Sequence, residues 1–179
     1  MHQGGFKLVN KMEKRIILPK TYMEKLENPL IFLAGPIRDA LDWQEKAIDY
    51  ILLKDSTIFI ANPRWDASFK IRSLAIETKI DYFTRQRSWE KHYLDLALKN
   101  GAVLFWLANA PGLMTRLELG QLMSKYQCNP LTRFCVGGDE RFSDIGTIRY
   151  DLRVDTGKSI YSTIEQTCDE AIKLATQLN

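Results

Sequence analysis

Leu30-Ile31-Phe32-Leu33-Ala34-Gly35-Pro36 decides the fold. Five apolar residues with no polar interruption suit a strand buried on both faces, as in a parallel sheet covered by helices on either side. Gly35-Pro36 then stops the strand and opens a loop from Gly35 to Leu41. From Asp42, which suits a helix cap, Trp43, Ala47, Ile48, Ile51 and Leu52 recur at helical spacing. A second apolar run, Thr57 to Ala61, closes on Asn62-Pro63 and completes a βαβ opening.

The same alternation continues. Ser88 suits the cap of a helix running to Lys99, with Asn100-Gly101 as its stop signal, and Ala102 to Leu107 is a third strand. Thr115 to Tyr126 reads as the next helix, Arg133 to Val136 as a fourth strand ended by Gly137-Gly138, and Tyr150 to Val154 as a fifth. Beyond Ser162, Ile164, Cys168, Ala171, Ile172 and Ala175 share one face of a terminal amphipathic helix. The expected fold is α/β: a Rossmann-like, doubly wound sheet of about five mostly parallel strands with helices on both faces. Residues 1–29 form an arm or an extra edge strand around Ile16-Ile17-Leu18, and residues 30–179 form a single domain. The connection from Arg64 to Arg87 is long and is expected to hold a short helix around Ser73 to Tyr82.

Composition narrows the function. Lysine and arginine total 25 against 22 acidic residues, and a net charge of +3 is too small to imply a nucleic-acid polymer as partner. The basic residues between Arg64 and Lys91 interleave with Asp66, Glu77, Asp81 and Glu90, which reads as a solvated surface. Cys128, Cys135 and Cys168 are odd in number and lack paired spacing or nearby histidine ligands, so they predict neither a disulfide framework nor a metal site. No apolar run reaches transmembrane length and no secretory signal is present, so a cytoplasmic protein with no membrane partner is expected.

In a parallel sheet, the loops after Ala34, Ala61, Leu107 and Val136 open on one edge, where open α/β sheets bind ligands. Gly35-Pro36-Ile37-Arg38, Asn62, Glu118 and Gly137-Gly138 therefore share a rim, and Glu90 joins them if its helix starts at Ser88. Asp95 lies more than a turn lower. Locally, Thr115-x-x-Glu118 matches a capping box, which would tie Glu118 to the backbone of its own helix. Glu90 fits equally well as a favourable charge near a helix start. The Gly35-Pro36 loop lacks the spacings of nucleoside triphosphate and dinucleotide loops.

In order, Phe32-Leu33-Ala34-Gly35-Pro36-Ile37, Asn62-Pro63-Arg64, Gln86-x-x-Trp89-Glu90, Val103-Leu104-Phe105-Trp106-Leu107 and Glu118-Leu119-Gly120 resemble the nucleoside 2-deoxyribosyltransferase-like proteins, over Leu30 to Val136. The resemblance implies a flavodoxin-like sheet, no cofactor, assembly as a homo-oligomer, and a small-molecule nucleoside or nucleotide as substrate. It implies cleavage of the N-glycosidic bond, with Glu118 attacking C1′ of the sugar and transferring it to another base or to water. Glu90 then stands as a second catalytic carboxylate, and Gly35, Pro36, Ile37, Arg38, Asn62, Gln86 and Asp95 as substrate-binding residues. Arg38 coincides with an arginine of the phosphate-preferring branch.

Two departures keep other outcomes open. The position one turn after Glu90, an aspartate in other branches, falls on Leu94 or Asp95, and the loop Ala108 to Met114 lacks the aspartate often found there. A non-catalytic nucleotide-binding module on the same fold is the alternative. A third reading is an interaction domain using Arg64, Trp65, Phe69, Lys70 and Arg72.

Overall fold

The computed structural model describes residues 15–64 and 79–177. Along the described chain run β1 (Ile16–Ile17), β2 (Leu30–Ala34), α1 (Trp43–Lys54), β3 (Phe59–Ala61), α2 (Lys79–Asn100) and β4 (Gly101–Leu107). After these come α3 (Leu113–Cys128), β5 (Phe134–Gly138), α4 (Ile145–Thr156), β6 (Ile160–Tyr161) and α5 (Ile164–Thr176). The six strands pair in parallel in the order β1-β3-β2-β4-β5-β6. The fold is a doubly wound, flavodoxin-like α/β sheet.

The apolar runs explain the layers. Leu30, Phe32 and Ala34 of β2, with Val103, Phe105 and Leu107 of β4, pack against Trp89, Tyr93 and Ala97 of α2 and Leu119 and Leu122 of α3. Ile31, Leu33, Ala102 and Leu104 point the other way, into Trp43, Ala47 and Ile51 of α1 and Ile164, Cys168 and Ala171 of α5. Period-two alternation therefore feeds two cores, which is why the central strands carry no polar face.

The strand order reverses between β2 and β4, and the loops that leave them meet there. Gly35, at the end of β2, lies so close to the neighbouring chain that an added Cβ would stand 2.4 Å from the Trp106 carbonyl oxygen and 2.6 Å from the Trp43 ring. Trp43 in turn donates from Nε1 to the Pro36 carbonyl at 2.9 Å, holding the loop down on α1. Opposite, a Cβ on Gly112 would touch the Phe142 ring at 2.7 Å and Pro36 at 3.3 Å, so the loops after β2, β4 and β5 converge at this point.

Several sequence expectations need correction. Tyr150 to Val154 is helix, because Ile145, Leu152 and Thr156 are buried at helical spacing while Tyr150 and Val154 face solvent. The alternation of Leu152 and Val154 is coincidental, and the strand beside β5 is the short β6 that follows. Gly137 and Gly138 belong to β5 instead of ending it. At β3 the strand starts at Phe59, two residues after Thr57. Asp42 does cap α1, its Oδ1 accepting from the Glu45 N–H at 3.0 Å. Ile16–Ile17 pairs with β3 as an edge strand, and the Ile17 carbonyl accepts from the Asn62 N–H at 3.0 Å. The short helix expected around Ser73 to Tyr82 falls mostly outside the described residues, and Lys79 onward already belongs to α2.

Candidate active site

Two further corrections bear directly on the site. Helix α3 begins at Leu113 with Gly112 as its cap residue, whose carbonyl accepts from the Arg116 N–H at 2.9 Å. Thr115 is consequently buried inside the first turns, and the capping box expected with Glu118 does not form. Likewise Ser88 is no helix cap: α2 runs 22 residues from Lys79, and the Ser88 hydroxyl donates back to the Thr84 carbonyl at 2.9 Å. Glu90 therefore sits in mid-helix, and neither it nor Glu118 occupies the first turn, where a helix dipole acts most strongly.

Released from capping, Glu118 turns to α2. Its Oε1 accepts from Arg87 Nη1 at 2.7 Å, and the same nitrogen bonds Glu90 Oε2. The other Glu90 oxygen accepts from Gln86 Nε2 at 3.0 Å. Gln86 and Glu90 stand four residues apart on one helix face, and Arg87 three residues before Glu90, so α2 presents donor, donor and acceptor together. All three charged side chains are largely enclosed, at 22% exposure for Arg87, 13% for Glu90 and 14% for Glu118. Two carboxylates thus share one guanidinium nitrogen, with a net charge of −1 in a half-dry setting.

Burial pushes the Glu118 carboxyl above the usual carboxylate range, the Arg87 guanidinium pulls it back down, and the Glu90 charge adds to the rise. Burial opposes the charge on Arg87, but its hydrogen bond to Glu118 and the Glu90 charge carry its pKa above the usual value. The sign for stability follows. A carboxyl whose folded pKa lies above its ordinary 4.5 stabilises the fold fully below that pH and loses this contribution as pH rises through the folded value. Glu118→Gln, which stays neutral, should therefore melt above the wild type at neutral pH. The gap should close as pH falls toward 4.5. Thermal melts between those limits check this, and a gap independent of pH would contradict it.

No protein-family model matches this chain, and neither does any curated protein. The site must therefore be judged on its own chemistry.

Of the other expected site residues, Gly35, Pro36 and Ile37 lie in the loop at the reversal point, and Arg38 beside them is exposed and makes no ion pair among the described residues. Asn62 is buried, and its Oδ1 accepts from the Arg64 N–H at 3.0 Å. Asp95 is not brought to the cluster: it is exposed and pairs with Lys125 at 3.1 Å on the outer side of α2 and α3. Gly137 and Gly138 sit within β5, against Trp106 and Leu107.

Arg87 is the residue that sequence reasoning missed, being grouped with a mixed run of surface charge. The signal was present, because Gln86-Arg87-x-x-Glu90 places two donors within helical reach of one carboxylate. Arg64, read in the same way, is also engaged, bonding Gln44 Oε1 at 2.9 Å and Asp42 at 3.3 Å. Trp89 is core and donates to the Thr21 carbonyl at 2.8 Å, and Tyr93 Oη accepts from the Met23 N–H at 2.9 Å. The arm thus braces the helix that carries Gln86, Arg87 and Glu90.

Among the described residues no group of three or more His, Cys, Asp or Glu side chains could hold a metal ion. Burial pushes the Cys168 thiol up to about 12 and Cys135 higher still, so neither is poised as a nucleophile. No described helix is long and apolar enough to cross a membrane. A groove of about 650 Å³ runs past Asp95, Lys99 and Cys128, and another of about 350 Å³ past Gly120, Met123 and Asp151. Neither is lined by Glu118, Glu90 or Arg87, so the carboxylate chemistry, and not concavity, marks the candidate site.

Proposed function

We propose that this protein cleaves the N-glycosidic bond of nucleosides or nucleoside monophosphates, with Glu118 as nucleophile. One observation carries the reading: Glu118 makes no capping bond, is largely enclosed, and is paired with a guanidinium that also holds a second carboxylate. A carboxylate so placed can trap an oxocarbenium-like sugar carbon and later be displaced from it. The order of motifs from Phe32 to Gly120, which resembles the nucleoside 2-deoxyribosyltransferase-like proteins, supports the same bond as target.

In the first step a Glu118 oxygen bonds C1′ while the C1′–N bond breaks, and the base leaves with that electron pair and takes a proton from water. In the second, a new base or water bonds C1′, gives up its proton to solvent, where it balances the proton taken in the first step, and the ester pair returns to Glu118. Both Glu90 oxygens accept hydrogen bonds, which suits Glu90 to anchoring Arg87 and accepting from a sugar hydroxyl. Gly35 to Arg38 and Asn62 are the substrate-binding residues of this reading. On it the protein works in the cytoplasm, for which three free cysteines speak, and as a homo-oligomer, as the resemblance implies.

Incubation with a panel of nucleosides and monophosphates plus a second base, resolved by chromatography, tests the activity. Base exchange or release is expected. Ligand-induced thermal stabilisation without turnover would instead support a nucleotide-binding module.

A further inference from the structure

We propose that Arg87 is the positioning residue of this site: one nitrogen, Nη1, is shared by the two carboxylates, so that Glu90 fixes the guanidinium and the guanidinium aims Glu118. Nη1 carries two N–H groups, enough for its two acceptors, Glu118 Oε1 at 2.7 Å and Glu90 Oε2. Charge-assisted bonds of this kind fix both distance and direction. The contact also crosses between helices, because Arg87 and Glu90 belong to α2 and Glu118 to α3. Together with the exposed Lys125–Asp95 pair, it ties the nucleophile's helix to the helix braced by the arm at Trp89 and Tyr93.

The sharing has a chemical consequence, which rests on the reading of Glu118 as nucleophile. When Glu118 becomes an ester of C1′ it loses its negative charge, and Arg87 keeps Glu90 as its counterion and is not left unpaired in an enclosed site. When water or a base displaces the ester, Arg87 is already in place to receive the returning carboxylate. Glu90 thereby keeps the guanidinium in register through both half-reactions.

Among the described residues the charged groups facing Glu118 are few. From α2 they are Arg87 and Glu90. On its own helix Arg116 is turned to the Ser143 carbonyl and Asp144, and Lys125 to Asp95. Asp151 and Asp155 of α4 face the groove beside Met123, Ser124 and Gln127. The two α2 residues therefore have opposite and separable effects on Glu118.

The test is a carbon-13 NMR titration of the glutamate carboxyls, with the Glu118 resonance assigned by its loss in Glu118→Gln. It needs no substrate. Arg87→Met should raise the Glu118 midpoint by about one unit or more, Arg87→Lys should restore it, and Glu90→Gln should lower it. In parallel, the acid limb of the pH–rate profile should move in the same directions, a signature that a purely structural role would not give. A midpoint in Arg87→Met equal to the wild type, or a shift of the same sign in Arg87→Met and Glu90→Gln, would overturn the proposal. If Arg87→Met does not fold, Glu90→Gln decides: a midpoint at or above the wild-type value contradicts it. A protein that cleaves no nucleoside but shows these opposed shifts keeps the positioning role and loses the glycosidase reading.

Discussion

Glu118→Gln should lose base release and exchange by about 10³-fold or more, equivalent to roughly 4 kcal/mol of transition-state stabilisation. The amide keeps the shape and can still accept from Arg87, but it cannot form the glycosyl ester. The loss should fall on kcat, since the side chain acts on the bond being broken and not on remote binding. Because Arg87 retains Glu90, the substitution leaves no orphaned buried charge, and the same variant should fold with undiminished stability at neutral pH. Lost activity together with retained or raised melting temperature separates a nucleophile from a structural ion-pair partner. A parallel fall in both would favour the structural role.

The second large effect is steric. Gly35→Ala should cost roughly 1–3 kcal/mol, because its Cβ would meet the Trp106 carbonyl oxygen at 2.4 Å and the Trp43 ring at 2.6 Å, neither of which is a flexible tip. For a domain of this size that lowers the melting temperature by roughly 2–4 °C per kcal/mol. The site should suffer as well, since Trp43 holds Pro36 and displacing its ring moves the loop that faces the reversal point. Gly120→Ala is the contrast. Nothing stands within 4 Å of a Cβ there, and the position lies inside α3, so the substitution should stabilise by about 0.5–1 kcal/mol. Chemical denaturation of both variants measures the opposed signs.

The central strands were legible because burial on both faces leaves an uninterrupted apolar run, as in Leu30 to Ala34 and Gly101 to Leu107. Their spatial order, and with it the reversal point between β2 and β4, comes from the structure. Helix starts were harder to read. Thr115-x-x-Glu118 is a good cap pattern, but Gly112, packed against Phe142 and Pro36, starts the helix two residues earlier than Thr115. Ser88 likewise looked like a start because the four residues before it, Thr84 to Arg87, are polar. In Tyr150 to Val154 the apolar residues Leu152 and Val154 have strand spacing, but only Leu152 is buried, and a single buried position fits either period.

Of the hydrogen-bonded cluster, Glu118, Glu90 and Gln86 were named from sequence order, whereas Arg87 was not. A lone arginine among mixed charges has no pattern of its own; it becomes informative only when a second helix brings Glu118 within hydrogen-bond distance. Asp95 lies apart from the cluster for the converse reason. One residue of helical phase turns it to Lys125 on the outer face.

Trapping with a 2-fluoro-2-deoxynucleoside, followed by peptide mass spectrometry, tests most directly whether Glu118 bonds the sugar. The fluorine slows displacement of the ester enough for the intermediate to accumulate. One glycosyl adduct on the peptide carrying Glu118, absent in Glu118→Gln, is the expected result. An adduct on Glu90, or turnover with no adduct at all, would contradict it.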